Sequence, residues 1–429
     1  MNVNGARVAG GTLVIAVTGA ALFFAFSPKV VTVGNPPPGA NGKERAVSIP
    51  IDGQEEAPPP SSPPTVPSNG QTDEPKQPQL ANPPVVVKGL YITSWWASSQ
   101  SRVLETARLG KRAGANAVVI DIKDYTGEVA YRMDSPLTKQ SGAERAIRIA
   151  RPNALVKALH DEGIYVIGRI SVFQDTVLAT SHPEWALKNK TTGAVWRDRK
   201  GIAWLDTASR NVWDYNIAIA KDALERGFDE VNFDYIRFAS DGDLAVIGYP
   251  AWDGVTPKHK VIRSFFKYLR EQLGDGKMSA DLFGLVTVGQ DDLGIGQVIQ
   301  DAFPYFDAIA PMVYPSHYAS GFQGYKNPAK YPYEVVKHSM ETALARLKAY
   351  EADTAAAAAS STTGTAPFFQ ARLRPWLQVF DLGATYDTGM VKAQMRATDE
   401  ALGAASSSVY YGGWLLWDPK NQYAPLRGF

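Results

Sequence analysis

From residue 88 to the C-terminus the chain alternates between two hydrophobic rhythms. Short apolar runs, many of them β-branched, occupy 88–95 (KGLYITSW), 117–124 (AVVIDIKD), 165–173 (YVIGRISVF) and 230–238 (EVNFDYIRF). Four more occupy 278–285 (MSADLFGL), 308–314 (AIAPMVY), 376–382 (WLQVFDL) and 413–418 (GWLLWD). Near-continuous runs of this length fit strands covered on both faces. Between them apolar residues recur at helical spacing: Val103, Ala107 and Leu109 in 102–113, Leu155, Val156 and Leu159 in 153–161, and Trp213, Ile217, Ala220 and Leu224 in 211–226. Thr256-Pro257 predicts an N-cap with proline at the first helical position, ahead of Ile262, Phe265, Phe266 and Leu269. Further helices are predicted over 297–302, 333–350 and 390–402, and Gly163, Gly227 and Gly274 stand where C-caps are expected.

Strands alternating with helices mean parallel βαβ units. Eight of them in about 340 residues suit a closed (β/α)8 TIM barrel, an α/β fold. An open doubly wound sheet would carry a Gly-rich turn after its first strand, and here that turn reads SWWASSQ.

The first 84 residues follow neither rhythm. Residues 8–26 (VAGGTLVIAVTGAALFFAF) carry no charge and are long enough to cross a bilayer as one helix. With Arg7 ahead of them, they predict a signal anchor over 1–28 and an extracytoplasmic remainder; a cleaved signal peptide is the alternative. Residues 29–84 read as a Pro-rich disordered linker whose upper reach exceeds about 100 Å. Residues 85–429 form the barrel, with a low-complexity insertion at 354–367 (TAAAAASSTTGTAP) read as a disordered loop.

Composition narrows the chemistry. A net charge of +1 with no basic block argues against nucleic acid as a partner, and no protein partner is evident. The absence of cysteine removes thiol nucleophiles, disulfides and zinc-thiolate sites. The five histidines are scattered, no HExxH, GxSxG or phosphate-cradling loop occurs, and no cofactor or metal is called for.

Barrel enzymes work at the C-terminal ends of their strands, so residues there are the candidates. Most of the eight runs end in or near an aspartate: Asp121-Ile-Lys123-Asp124, Asn232-Phe-Asp234, Asp281, Asp381 and Asp418. Arg169 and Arg237 stand at similar heights. Strand alternation puts Asp121 on the same side as Lys123, and Asn232 with Asp234. Buried carboxylates need cations, so one reading is a structural Asp121–Lys123–Arg169 ion network. The other is the carboxylate pair that glycosidic cleavage requires, one acid and one base or nucleophile. Aromatic residues at the same rim, among them Trp95, Tyr314 and Trp417, suit a sugar ligand, and His317 lies beside them.

At these residues the sequence resembles a bacterial family described as "putative glycosyl hydrolase domain", of unknown substrate. The resemblance rests on VKGLYITSW, NAVVIDIKDYTGEVAY, IGRISVFQD, FDEVNFDYIRFASDG, SADLFG, APMVYPSHY and NPAKYPYEVV, and runs from Lys88 to about Ala424. It implies a (β/α)8 barrel and carbohydrate hydrolysis. A weaker likeness is to the chitinase-type strand DGxDxDxE, where Ile236 replaces the glutamate. Asp234 on the fourth strand, Asp281 on the fifth and Asp381 on the seventh is similar to the layout of α-glycosidase barrels, which carry Glu on the fifth.

The expectation is therefore a membrane-anchored hydrolase of an envelope or extracellular polysaccharide. Asp234 would be nucleophile or base and Asp281 the general acid. Asp121, Lys123, Asp124, Arg169, Arg237, Tyr314, His317, Asp381, Trp95 and Trp417 would bind substrate or tune that pair. A non-catalytic carbohydrate-binding barrel would share this rim but lock Asp234 or Asp281 in ion pairs away from solvent. A purely structural envelope protein would have an apolar, filled mouth.

Overall fold

The computed structural model describes residues 72–359, 371–404 and 408–429, together with a short antiparallel pairing of Val30–Val31 with Val47–Ser48. The expected anchor, most of the linker and residues 360–367 of the insertion lie outside the described residues. Among those described, no helix is long and apolar enough to cross a membrane.

All eight expected strands form: β1 (Val87–Ile92), β2 (Ala117–Lys123), β3 (Tyr165–Ser171), β4 (Glu230–Asp234), β5 (Met278–Phe283), β6 (Ala308–Met312), β7 (Trp376–Gln378) and β8 (Gly413–Trp417). Each pairs in parallel with the next, and β8 pairs with β1 through Leu416 and Leu90, which closes the barrel. The alternation is visible on β2, where Val118 and Ile120 pack under the helices while Ala117 and Val119 join Tyr91, Ile167, Trp376 and Leu415 in the lumen. Both faces are buried, which is why the strands read as unbroken apolar runs.

The outer ring contains α1 (Gln100–Arg112), α2 (Pro152–Asp161), α3 (Arg210–Glu225), α4 (Lys258–Leu273), α5 (Ile299–Ala302), α6 (Pro332–Ala359) and α7 (Thr388–Leu402). After β8 the chain makes only a 3-10 turn, Ala424–Gly428, bonded to α7 through Thr388 Oγ1 and Pro425 O at 2.7 Å. Two differences from the sequence reading have simple causes. Pro257 occupies the N-cap position, one residue earlier than expected, so α4 starts at Lys258. The alanine-rich start of the 354–367 insertion is not a loop: Thr354 to Ala359 continue α6, as the helix propensity of alanine allows.

The end of the expected linker is also structured. Residues 73–80 form a strap against the barrel. The Asp73 carboxylate accepts from the backbone N–H of Asn153 and Ala154 at 3.1 and 3.0 Å, capping α2 from outside. Gln77 N–H donates to Arg226 O, and Leu80 N–H donates to Asp229 Oδ1 at 2.6 Å. Leu80 then packs on the lumen cluster from the N-terminal side of the strands, the barrel floor. Gly227 has φ +98° and the strap passes directly over it, with Gln77 O 2.6 Å from where a Cβ would stand, so no larger residue fits.

Candidate active site

The C-terminal half of the lumen is organised around Arg169. Register places Asp121 of β2 and Asn232 of β4 on either side of it, with Asp234 one alternation higher. The guanidinium is fully buried. It donates from Nη1 to Asp121 Oδ1 at 2.6 Å, and from Nη2 and Nε to Asp234 Oδ2 at 2.5 and 3.2 Å. Tyr91 donates its phenol to the other Asp121 oxygen. Trp417 stacks on Tyr91 at 3.7 Å, and both rings lie against Arg169.

Strand β4 ends at Asp234 because Tyr235 adopts φ +52°, a left-handed conformation uncommon outside glycine. That turn brings Tyr235 N–H back onto Asp234 Oδ1 at 2.5 Å. Such conformations cost of order 1–3 kcal/mol and concentrate at functional sites.

Asp281, on the neighbouring β5, sits differently. Its Oδ1 accepts from Asn232 Nδ2 at 2.8 Å and Trp376 Nε1 at 2.7 Å. Its Oδ2 has no hydrogen-bond partner and lies 3.8 Å from Arg169 Nε. One guanidinium thus faces three buried carboxylates, and burying all three ionised would leave charge uncompensated. Burial, then the adjacent Asp234 charge, push Asp281 well above the ordinary carboxylate range, with Arg169 opposing. Burial also raises Asp121, against Arg169 and Tyr91. Tyr314 completes this layer: its hydroxyl has no hydrogen-bond partner, and burial followed by the Asp281 and Asp234 charges raises it well above the phenol range. The arrangement sets a carboxyl pushed toward its neutral form beside an ion-paired one.

The other expected residues divide. Lys123 does not join this cluster. A register irregularity between Asp121 and Lys123 breaks the strict alternation, and Lys123 Nζ instead pairs with Asp175 at 2.7 Å, over the ring of Tyr215 from α3. The expected Asp121–Lys123–Arg169 network is therefore replaced by Asp121–Arg169–Asp234 and a separate Lys123–Asp175 pair. Asp124 accepts from Thr126 and faces Arg148 at 3.4 Å; burial pushes it up to about 6, with Arg148 opposing. Trp95 is covered by the Arg148 guanidinium, 4.3 Å from its ring centre. Arg237 donates to Ser240 and Phe238 O and lies between the rings of Trp204 and Phe283.

His317, Asp381 and Trp417 line a groove of about 660 Å³ on the β7–β8 side of the mouth, with Phe380, Tyr386 and Asp418. Asp381 is exposed and accepts from Tyr386 N–H. Trp417, only 2% exposed, is walled in by Tyr91 and Trp376, so it borders the groove without offering an open ring face. Sequence reasoning gave no role to Tyr91, Arg148, Asn232 or Trp376. Tyr91 and Asn232 share a strand face with the candidates and were within reach of that rule; nothing local marks Arg148 or Trp376.

The fold and the site together define a closed parallel (β/α)8 barrel of the glycoside-hydrolase-like class, with acidic residues at its strand ends. The chain belongs to the family described as "Putative glycosyl hydrolase domain", which it matches over residues 89–423. It is similar to a hypothetical protein from Ruminiclostridium thermocellum (37% identity, TM-score 0.41, 48% of this chain and 98% of that one). It is also similar to the PgaB (BpsB) glycoside hydrolase domain from Bordetella bronchiseptica (12% identity, TM-score 0.49, 80% and 97%). A third likeness is to the Thermus thermophilus α-galactosidase in complex with p-nitrophenyl α-D-galactopyranoside (13% identity, TM-score 0.46, 82% and 61%). No functionally curated protein matches the chain.

Proposed function

We propose that this barrel hydrolyses glycosidic bonds of an envelope or extracellular polysaccharide, with Asp281 as general acid and Asp234 as nucleophile or base. The observation that carries the reading is the contrast between two carboxylates on adjacent strands. Asp234 is held by Arg169, whereas Asp281 keeps one oxygen unpartnered and is pushed toward its neutral form. Two carboxyls in such different surroundings can divide the acid and base roles.

Arg169 Nε lies 3.2 Å from Asp234 Oδ2 and 3.8 Å from Asp281 Oδ2, so those oxygens are at most about 7 Å apart. Inverting enzymes need about 6.5–9.5 Å to admit a water and retaining enzymes about 5–5.5 Å. The bound spans the retaining separation and reaches the shortest inverting ones, so Asp234 serves as nucleophile in the first case and as base in the second. A membrane anchor at 1–28 and an extracytoplasmic site belong to the same proposal and rest on the sequence of residues 8–26.

One observation favours a second reading, a non-catalytic carbohydrate-binding barrel: Asp234 is ion-paired and 2% exposed, and Asp281 is 1% exposed. The test is a screen of the purified protein against bacterial envelope polysaccharides for reducing-end release, beside Asp234→Asn and Asp281→Asn. Release that both variants abolish supports hydrolysis. Binding of a polysaccharide without release by any of the three supports the second reading.

A further inference from the structure

The Asp281 carboxyl is held by a chain of donors that runs up from the barrel floor. Arg374 Nη1 donates to Glu230 Oε2 at 3.2 Å, and Nη2 donates to Oε1; both residues are buried. Ser279 Oγ spends its single hydrogen on Glu230 Oε1 at 2.5 Å. The Ser279 oxygen must then act as acceptor toward Asn232 Nδ2, 3.0 Å away. The same Nδ2 donates to Asp281 Oδ1 at 2.8 Å.

These contacts fix the Asn232 amide. Turned over, the amide would lose both N–H bonds, and its carbonyl oxygen would face a serine whose hydrogen is already committed; a proton on Asp281 Oδ1 would restore only one of the two. The observed orientation uses both N–H bonds and leaves the Asn232 carbonyl oxygen without a partner. Trp376 Nε1, which can only donate, reaches the same Asp281 oxygen at 2.7 Å. Two donors therefore converge on Oδ1, and none reaches Oδ2.

We infer that Asn232 and Trp376 are positioning residues for the acid: they reserve Asp281 Oδ1 as an acceptor and confine the transferable proton to Oδ2. A proton on Oδ1 would collide with two N–H groups. On Oδ2 it meets no hydrogen-bond donor, and Arg169 Nε, which also bonds Asp234, stands 3.8 Å away. In cleavage the Oδ2–H bond breaks, its proton passes to the departing glycosidic oxygen, and the electron pair stays on the carboxylate. The inference rests on the reading of Asp281 as the acid, but it is measurable without any glycan.

The test is an infrared pH titration of the full-length protein, in which the difference between wild type and Asp281→Asn isolates the carbonyl stretch of the neutral Asp281 carboxyl. Asn232→Leu removes one donor to the carbonyl oxygen, so the band moves to higher frequency. N–H donors favour the ionised form, so the midpoint of band loss moves up by about one pH unit. Trp376→Phe shifts both in the same direction and supplies an independent route if the leucine variant fails to fold. A purely structural role would lower the melting temperature and leave band and midpoint in place.

The inference is overturned if a folded variant leaves both unchanged, or if wild type shows no neutral Asp281 band at any pH at which it is folded. The shifts appearing without cleavage of any glycan would retain the proton placement and remove the hydrolase reading. Cleavage with an unmoved band would do the reverse.

Discussion

Asp234→Asn separates chemistry from architecture, and the structure says how large each effect is. The replacement keeps the shape and an acceptor for Tyr235 N–H, but it puts an amide where Arg169 Nη2 and Nε now find a carboxylate at 2.5 and 3.2 Å. Breaking a buried ion pair from one side costs about 3–5 kcal/mol. Arg169 keeps Asp121 at 2.6 Å, so the loss belongs at the lower end, about 3 kcal/mol. Loss of stability is thus expected whether or not Asp234 takes part in catalysis. The deciding quantity is turnover per folded molecule, measured on a polysaccharide the wild type cleaves, with the folded fraction taken from a urea titration of the same sample. Removal of the nucleophile or base should reduce turnover by about a thousandfold or more, about 4 kcal/mol of barrier. A variant about 3 kcal/mol less stable that retains specific activity within tenfold of wild type would refute the assignment.

Asp281→Asn should abolish cleavage without lowering stability at neutral pH. A carboxyl whose folded pKa is raised stabilises the fold while protonated and loses that contribution as pH rises through the folded value, so an uncharged amide removes the penalty. The same sign applies to Asp124, raised from 3.8 to about 6: Asp124→Asn should flatten the fall in stability between those pH values, seen in urea midpoints taken at each pH. Lys123→Met leaves the buried Asp175 unpaired and should cost about 3–5 kcal/mol in denaturant titrations while specific activity is unchanged. A chain truncated to begin at Val85 should melt several degrees below one beginning at residue 72. It loses the Asp73 cap, about 1 kcal/mol, and the partial burial of Leu80, up to about 1.5 kcal/mol; equal melting temperatures would show that the strap contributes nothing.

The barrel was legible because a strand buried on both faces has to be written in consecutive apolar residues, and 165–171 or 413–417 admit little else. The polar layer was legible only up to one rule, strict alternation. It served for Asn232 and Asp234 and failed at Lys123, where an irregular register against β3 sends the side chain to Asp175. The rim aromatics gave a subtler lesson. Trp95 and Trp417 do stand at the mouth, but each has a ring face already taken, by Arg148 and by Tyr91. Which partner wins a buried ring or cation depends on residues far apart in sequence, as with Arg374 and Glu230 or Trp376 and Asp281. No local pattern encodes those pairings. The strap was missed for a related reason: a proline-rich stretch reads as unable to fold alone, and residues 73–80 do not fold alone but borrow donors from α2 and an acceptor from the approach to β4.

That strap also sets a direction of load. Strand β1 enters the barrel only after the chain has passed Asp73 on α2 and Leu80 against the lumen cluster. Tension along that segment is taken first by Asp73 on the end of α2 and by Leu80 seated against the lumen. It reaches β1 only once those contacts have peeled away. A pull on the N-terminal segment is thus spent on the strap before it reaches β1, and the charged centre behind that strand is shielded from it.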